Sequence, residues 1–263
     1  MLKRKILFVI LGILFLLESC IYTQEQSPFD AYTIVKSCIE SHGGAKKFNE
    51  IHDIYAKLLV KSYTKDGVFE NRLHEYFRKP DKLRIEMEPE KGSPTILSWD
   101  GQNVYRFVKD KAEKSDDQKL AEHIQESLRF IRLMVLTNLL KDSTLKYERH
   151  LQEKNVHIIS QTDTKGEKIW LWISGNDFRL QGAKFHFLGD QKAFNIMFIQ
   201  HHEFEGMILP RYTKLYRENE LVMEAWLSLA RTNALENKDE FFSDLTEKAR
   251  LKSIATSPHR RGN

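Results

Sequence analysis

Residues 54–88 read IYAKLLVKSYTKDGVFENRLHEYFRKPDKLRIEME, and this stretch decides the fold. Its apolar residues recur at about every second position in the runs Ile54–Tyr63, Phe69–Arg78 and Lys82–Glu88, which is the period of a β-strand. The break Lys65-Asp66-Gly67 favours a tight hairpin, because the central residues of an Asp-Gly turn take positive φ. The stretch therefore predicts consecutive antiparallel strands.

The same period continues on both sides of one helical segment. Strands at Thr95–Trp99 and Asn103–Val108 complete a first group of about five, and residues 109–118 form a charged connector. Apolar residues at every third or fourth position then predict an amphipathic helix or helix pair over 117–141. Seven further strands are predicted at Thr144–Leu151, Val156–Thr162, Lys168–Ser174, Arg179–Leu188, Ala193–Phe204, Met207–Arg217 and Leu221–Asn233. Eleven or twelve strands in meander order, without strand-helix-strand alternation, argue against a parallel α/β sheet.

A helix precedes the first strand. Ser27-Pro28-Phe29-Asp30 offers a capping hydroxyl, a proline at the first helical position and an early acid, so we expect a helix over 28–42. Gly43-Gly44 ends it, because glycine takes the left-handed cap conformation at little cost, and a shorter helical turn follows over 45–50. Cys38 falls on the apolar face of the helix and is predicted to be a buried small side chain.

The N-terminus is typical of an export signal. Lys3-Arg4-Lys5 precedes an apolar run of twelve residues, which as a helix spans about 18 Å of a hydrocarbon core of about 30 Å. Residues 1–19 are therefore predicted to be a signal peptide. Leu17-Glu18-Ser19-Cys20 resembles the lipobox of bacterial lipoproteins, which implies acylation of Cys20 and a lipidated tether over 20–27, although Glu18 departs from the usual residue type. The alternative is a plain secretory peptide in which Cys20 is incidental.

The charge distribution excludes a dedicated nucleic-acid binder. The 263 residues contain 41 Lys and Arg against 37 Asp and Glu, a net charge of +4. Residues 1–19 and 246–263 together hold eight of the basic residues and two of the acids, so the body of the chain has 33 basic and 35 acidic residues, or −2. The tail, 246–263, is basic and poor in apolar residues, and we expect it to be disordered.

The sequence contains no recognisable catalytic or metal site. The adjacent His201 and His202 fall in a strand pattern, where neighbouring side chains point to opposite faces and cannot hold one ion. The stretch 41–44, Ser-His-Gly-Gly, resembles an oxyanion-hole loop, but no nucleophile elbow accompanies it and a helix C-cap explains the glycines. No phosphate-binding or dinucleotide-binding glycine motif is present. We therefore expect no enzyme activity, no metal and no cofactor.

The aromatic residues are more informative. Sixteen Phe, nine Tyr and four Trp concentrate in the strands, and the stretches 170–173 (WLWI) and 194–199 (FNIMFI) place large apolar groups on both strand faces. An antiparallel sheet with one face in water alternates more regularly than this. Either both faces are covered, as in an ordinary core, or the inner surface is larger than the helices can fill, which would leave a lipid-lined cavity.

These features together resemble the LolA/LolB-like periplasmic lipoprotein-carrier superfamily. The order of the elements agrees: export signal, helix closed by Gly-Gly, meander strands, helical insertion and more meander strands. The local sequence is also similar to that of the superfamily over residues 34–51, 76–86 (YFRKPDKLRIE) and 98–102 (SWDGQ), and again at 209–212 (LPRY) and 233–242. The resemblance covers residues 28–245, nearly the whole mature chain.

The resemblance implies an α+β fold, a strongly curved antiparallel half-barrel of about eleven strands with helices capping its concave face. It implies a hollow that holds acyl chains of a lipid or lipoprotein, with a helical lid that exchanges its own apolar contacts for those of the ligand. Like LolB, the chain would itself be a lipoprotein. The cavity and lid residues expected on this basis are Trp99, Phe107, Ile131, Val135, Trp170, Trp172, Phe185, Phe198 and Met223.

The expected function is therefore a cell-envelope lipoprotein in outer-membrane lipoprotein sorting or lipid handling. Its partners would be acyl chains, the membrane through an acylated Cys20, and an envelope protein, but no nucleic acid. Ile21 after Cys20, where the family places an inner-membrane retention signal as Asp, favours the periplasmic side of the outer membrane. One alternative is an envelope sensor or scaffold on the same fold that binds a protein, and another is a hydrolase whose polar cleft gathers residues distant in sequence.

Overall fold

The hairpin strands of residues 54–88 belong to one curved, open antiparallel sheet. The computed structural model describes residues 30–88, 95–108, 111–134, 140, 143–163, 166, 168–186, 193–235 and 239–243. Within these residues the sheet has thirteen strands: β1 Asp53–Thr64, β2 Gly67–Arg78, β3 Lys82–Glu88, β4 Thr95–Trp99, β5 Val104–Val108, β6 Lys111–Ser115, β7 Ser143–Leu151, β8 Val156–Asp163, β9 Lys168–Ser174, β10 Leu180–His186, β11 Ala193–Phe204, β12 Met207–Arg217 and β13 Glu220–Thr232. The fold class predicted from the sequence is confirmed.

The helices of the described residues are few. They are α1 Ala31–Ser41, α2 Ala45–Glu50 and α3 Gln118–Met134, with short 3-10 turns at Gln152–Lys154 and Asp239–Phe242. None of them is both long enough and apolar enough to span a membrane. The predicted signal peptide, Cys20, the tether and the basic tail lie outside the described residues and stay predictions.

The strand order joins two meanders through their first and last strands. It runs β6-β5-β4-β3-β2-β1-β13-β12-β11-β10-β9-β8-β7, and every neighbouring pair of strands is antiparallel. Strands β1 to β6 form one half of the sheet and β7 to β13 the other, and α3 lies in sequence between the edge strands β6 and β7. Since β1 and β13 pair at the centre, the long strands β1, β2, β11, β12 and β13 lie near the middle of the sheet.

One prediction about the edge was wrong. Residues 111–115 belong to the interval predicted as a charged connector, but they form β6 and pair with β5 from Val104 opposite Ser115 to Val108 opposite Lys111. The sequence KAEKS lacks the alternation of a half-buried strand, because an edge strand can be polar on both faces.

The apolar face of α1 packs on the concave side of the sheet. Its residues Ile34, Val35, Cys38 and Ile39 are buried, which confirms the prediction for Cys38, and they share a core with Leu171, Ile173 and Leu180. A smaller core forms under α3, where Ile124 and Leu128 contact Phe77, Leu83 and Val104. Burial raises the pKa of the Cys38 thiol to about 12, so this cysteine is not a reactive thiolate.

The Gly-Gly helix end brings a histidine into the core. Gly43 and Gly44 have positive φ, 124° and 87°, and the Gly44 N–H donates to Ile39 O, so the C-cap interpretation is confirmed. His42 Nδ1–H donates to Ile208 O at 2.5 Å, and His42 Nε2 accepts from the Leu180 N–H at 3.0 Å. The imidazole therefore bridges α1 to β10 and β12 in its neutral form, and burial lowers its pKa to about 4.

His42 gives the fold a specific acid sensitivity. As pH falls from above 6.5 to about 4, the unfolded chain binds a proton at this residue while the folded chain does not. We expect His42 to lower the free energy of unfolding by about 3 kcal/mol over that interval. Urea unfolding at pH 7 and pH 4 should show a clearly smaller difference for His42→Gln than for the wild type. The exposed His52→Gln is the control, and equal pH slopes for all three proteins would contradict this account.

Candidate functional site

A cavity of about 840 Å³ lies on the concave side of the sheet. Of the 27 described residues that line it 21 are apolar, and they come from the long central strands, from α2 and α3 and from β3. The contribution of β1 is Ile54, Ala56, Leu58, Val60, Ser62 and Thr64, every second residue of the strand. A volume of this size is within the range of small-molecule binding sites.

The faces of the sheet are assigned by register. Leu58 lies opposite Leu73 on β2 and Leu227 on β13, and all three line the cavity. The next residue, Leu59, lies opposite Arg72 and Trp226 on the outer face. Since side chains alternate along a strand, the inner and outer sets of β1 are fixed over its whole length.

The cavity is long enough for an acyl chain. From Ile54 to Thr64 the strand advances ten residues, or about 33 Å, whereas an acyl chain in one leaflet of a bilayer spans about 15 Å. At one end the lining residues Phe48, Met207 and Ala230 are buried, and at the other Thr64 and Arg217 are exposed. The cavity therefore runs from a closed end beside α2 to an end that reaches the surface at the hairpin tips.

The fold built around this cavity matches solved structures. One is a LolA superfamily protein from Nitrosomonas europaea, 12% identical, with 82% of this chain and 98% of that chain covered and a TM-score of 0.56. The chain has the LolA-type fold. A second match is a domain named for outer membrane lipoprotein sorting from Vibrio parahaemolyticus, 11% identical, covering 80% and 97% of the two chains with a TM-score of 0.51. No family model and no curated protein matches the sequence.

The resemblance to the LolA/LolB-like superfamily is confirmed at the level of the fold. Of the nine cavity and lid residues expected from it, Ile131 on α3, Phe198 on β11 and Met223 on β13 line the cavity. Val135 and the side chain of Phe107 lie outside what the structure describes. Three of the expected residues, from three different elements, are thus brought together on the concave side.

The other four expected residues lie elsewhere. Trp99 packs in the smaller core under α3, and Phe185 lies in the main core against Phe194, with ring centroids 6.1 Å apart. Trp170 and Trp172 alternate with the buried Leu171 and are on the outer face of β9.

The two tryptophans are accommodated on the outer face by their neighbours. Lys168 Nζ lies 4.9 Å and Lys184 Nζ 5.8 Å from the Trp170 ring centroid, so two cations cover this indole. A Cβ at Gly182 would clash with the Trp172 ring, so the glycine of β10 leaves room for it.

The described side chains that most resemble the catalytic group of a hydrolase lie on the outer face of the sheet. Tyr55 Oη lies 2.8 Å from His74 Nδ1, and His74 Nε2 lies 2.6 Å from Glu88 Oε1. Burial raises the pKa of the Tyr55 phenol, which opposes its use as a nucleophile. Glu88 also pairs with Lys57 at 3.7 Å, so the chain of contacts belongs to a polar sheet surface and not to the predicted cleft.

Metal chemistry finds no support in the described part of the chain. No three His, Cys, Asp or Glu side chains there lie close enough to hold an ion. His201 Nε2 lies 3.0 Å from Leu180 O, and His202 stacks edge-on against Phe204, so the adjacent histidines have separate environments. His157 is buried, with 3% of its surface exposed, and its ring stacks on that of His150 at 4.7 Å between centroids.

Sequence reasoning missed most of the inner face. The missed lining residues of β2 are Leu73, Glu75 and Phe77. Their signal was present in the alternation of β1, whose lysines at 57 and 61 mark the outer face and leave the even-numbered residues inside. Pairing with β1 then places the β2 residues on the same side.

Proposed function

We propose that this chain is a cell-envelope lipoprotein that binds acyl chains of lipids or lipoproteins in its concave cavity, in outer-membrane lipoprotein sorting or lipid handling. The observation that carries the proposal is the cavity of about 840 Å³, whose described lining is mainly apolar. Burial of an acyl chain there is favourable by about 25 cal/mol per Å² of apolar surface removed from water. The two similar structures, a LolA superfamily protein and a domain named for outer membrane lipoprotein sorting, support a carrier or binding protein.

The location follows from the same proposal. The export signal of residues 1–19 sends the chain to the cell envelope, acylation of Cys20 anchors it, and Ile21 favours the outer membrane on its periplasmic side. A neighbour on the same fold that is named for outer membrane lipoprotein sorting supports this placement. Acylation is tested by intact mass: the mature chain would start at residue 20 and carry the added mass of its lipid.

The helix α3 supplies the lid of the proposed site. Ile131 is a partly buried residue that lines the cavity, and Leu128 of the same helix is completely buried. A helix held by a few apolar contacts can move aside and exchange them for contacts with a ligand. Ile131 would then touch the ligand directly.

Ile131→Glu is therefore expected to weaken binding of a fluorescent acyl-chain probe by about tenfold, because a carboxylate replaces an apolar contact worth about 1.4 kcal/mol. The matched control is Gln125→Glu, which introduces the same charge at an exposed position of the same helix. Fluorescence titration of both variants beside the wild type measures the difference. Equal affinities for the two variants would remove α3 from the site.

A further inference from the structure

One carboxylate stands among the described residues that line the cavity. Glu75 on β2 lies between Ala56 on β1 and Ile85 on β3, which all face the cavity. Along its own strand the inner neighbours are Leu73 and Phe77. Glu75 is half-buried and is one of the residues that line the cavity.

Glu75 has no hydrogen bond or ion pair with the other residues that the structure describes. Among the described lining residues there is one other charged side chain, Arg217, which is exposed at the opposite end and covers the Phe194 ring. The other polar groups that the structure describes in the lining are the hydroxyls of Ser62, Thr64, Ser127 and Thr213. Burial alone raises the pKa of the Glu75 carboxyl to about 7, so at neutral pH both protonation states are populated.

A carboxyl in an apolar wall, with no partner among the described residues, destabilises the ligand-free protein and discriminates between ligands. Desolvation penalises its ionised form, and a partner that donates a hydrogen bond offsets this penalty. A donor with positive charge offsets it most, since hydrogen bonds between ionised groups are about twice as strong as neutral ones. A ligand carboxylate or phosphate placed beside Glu75 would instead add repulsion between like charges.

We propose that Glu75 determines the specificity of the cavity, which takes amphiphiles with an N–H donor, an amine or amide, beside the alkyl chain and discriminates against anionic ones. This inference rests on the proposed acyl-chain function and narrows it to a ligand class. The apolar lining binds the chain, and the carboxyl binds the polar group at its end. Position along the cavity supports this division, since Glu75 lies opposite Ala56 near the closed end, about 26 Å of strand from Thr64.

The test uses four probes with one alkyl chain length: dodecylamine, dodecanamide, dodecanol and dodecanoate, each below its aggregation concentration. Displacement of a bound fluorescent probe at pH 7.5 gives their affinities. For the wild-type full-length chain we expect dodecylamine to bind at least about tenfold more tightly than dodecanoate, with dodecanamide between them. Glu75→Gln should reduce the difference between amine and carboxylate to less than about threefold while dodecanol binding is retained.

Two further variants serve as controls, one for the position of the charge and one for the stability of the fold. Glu70→Gln neutralises a carboxylate of the same strand that pairs with Lys61 on the outer face, and it should keep the wild-type preference. Glu75→Leu removes both the charge and the polarity of this side chain. Its midpoint of urea unfolding at pH 8 should exceed that of the wild type. A higher midpoint would show that a variant without the Glu75 carboxyl is still folded, so a loss of the amine preference is not caused by unfolding.

The outcomes separate the two claims. Dodecanoate binding the wild type as tightly as dodecylamine, or an undiminished amine preference in Glu75→Gln, overturns the role of Glu75 and leaves the acyl-chain function standing. If none of the four probes binds, the acyl-chain function itself is wrong, and the inference about Glu75 fails with it.

Discussion

Replacing Leu58 with glutamate will weaken binding of an acyl-chain probe by at least about a hundredfold, or about 2.7 kcal/mol. Leu58 lies in the middle of the cavity wall, between Leu73 and Leu227 on the neighbouring strands. A carboxylate there must be desolvated when an acyl chain enters, and it lies diagonal to Glu75, so charge repulsion adds to the penalty. Isothermal titration with a single-chain probe measures the loss.

The adjacent Leu59 provides a control that differs only in the face of the sheet. It lies opposite Arg72 and Trp226 on the outer side, so Leu59→Glu introduces the same charge into the same strand outside the cavity. We expect its probe affinity to stay within about twofold of the wild type. Circular dichroism should show the same sheet content for both variants. A similar loss of affinity at both positions would mean that the effect comes from the strand and not from the cavity.

The second large effect is on stability and comes from Gly43. Its φ of 124° is unfavourable for any residue with a Cβ, and a Cβ built there would lie 2.5 Å from Gly206 O on the hairpin between β11 and β12. Gly43→Ala therefore combines backbone strain with a clash against main chain that cannot rotate away. We expect it to lower the free energy of unfolding by about 4 kcal/mol.

The variant Gly67→Ala separates the contribution of backbone strain from that of the clash. Its φ is 130°, but no atom lies within 4 Å of a Cβ built on it, so Gly67→Ala carries the strain without the clash. We expect a loss of about 1–2 kcal/mol for this variant in the same urea unfolding experiment. If the two alanines destabilise the protein equally, the close approach of α1 to the β11–β12 hairpin does not restrain the helix.

The alternation of apolar and polar residues within single strands predicted the sheet. The pairing of the strands was needed to assign the residues that line the cavity. In β1 the two lysines of the odd-numbered set mark the outer face, so the inner residues could be assigned from the sequence. In β9 both sets contain large apolar residues, and the two tryptophans were expected inside. What places Trp172 outside is the room left by Gly182, a neighbour that only the register of β10 identifies.

Glu75 shows a different limit of sequence reasoning. Within the run of β2 it shares a face with Leu73 and Phe77, so its inward position follows once the period is accepted. A charged residue on an apolar face is normally read as evidence for a solvated strand. That interpretation fails when the face lines a cavity, because the carboxyl then faces the cavity instead of packed side chains.

Native mass spectrometry of the full-length chain as purified from bacteria, followed by lipid extraction, tests the central claim most directly. Wild-type protein is expected to carry co-purifying acyl-chain species that are released on activation, identified in the extract, and lost in Leu58→Glu but retained in Leu59→Glu. A ligand-free mass for the wild type, under conditions in which a known lipid carrier keeps its cargo, would contradict the claim that the cavity binds acyl chains.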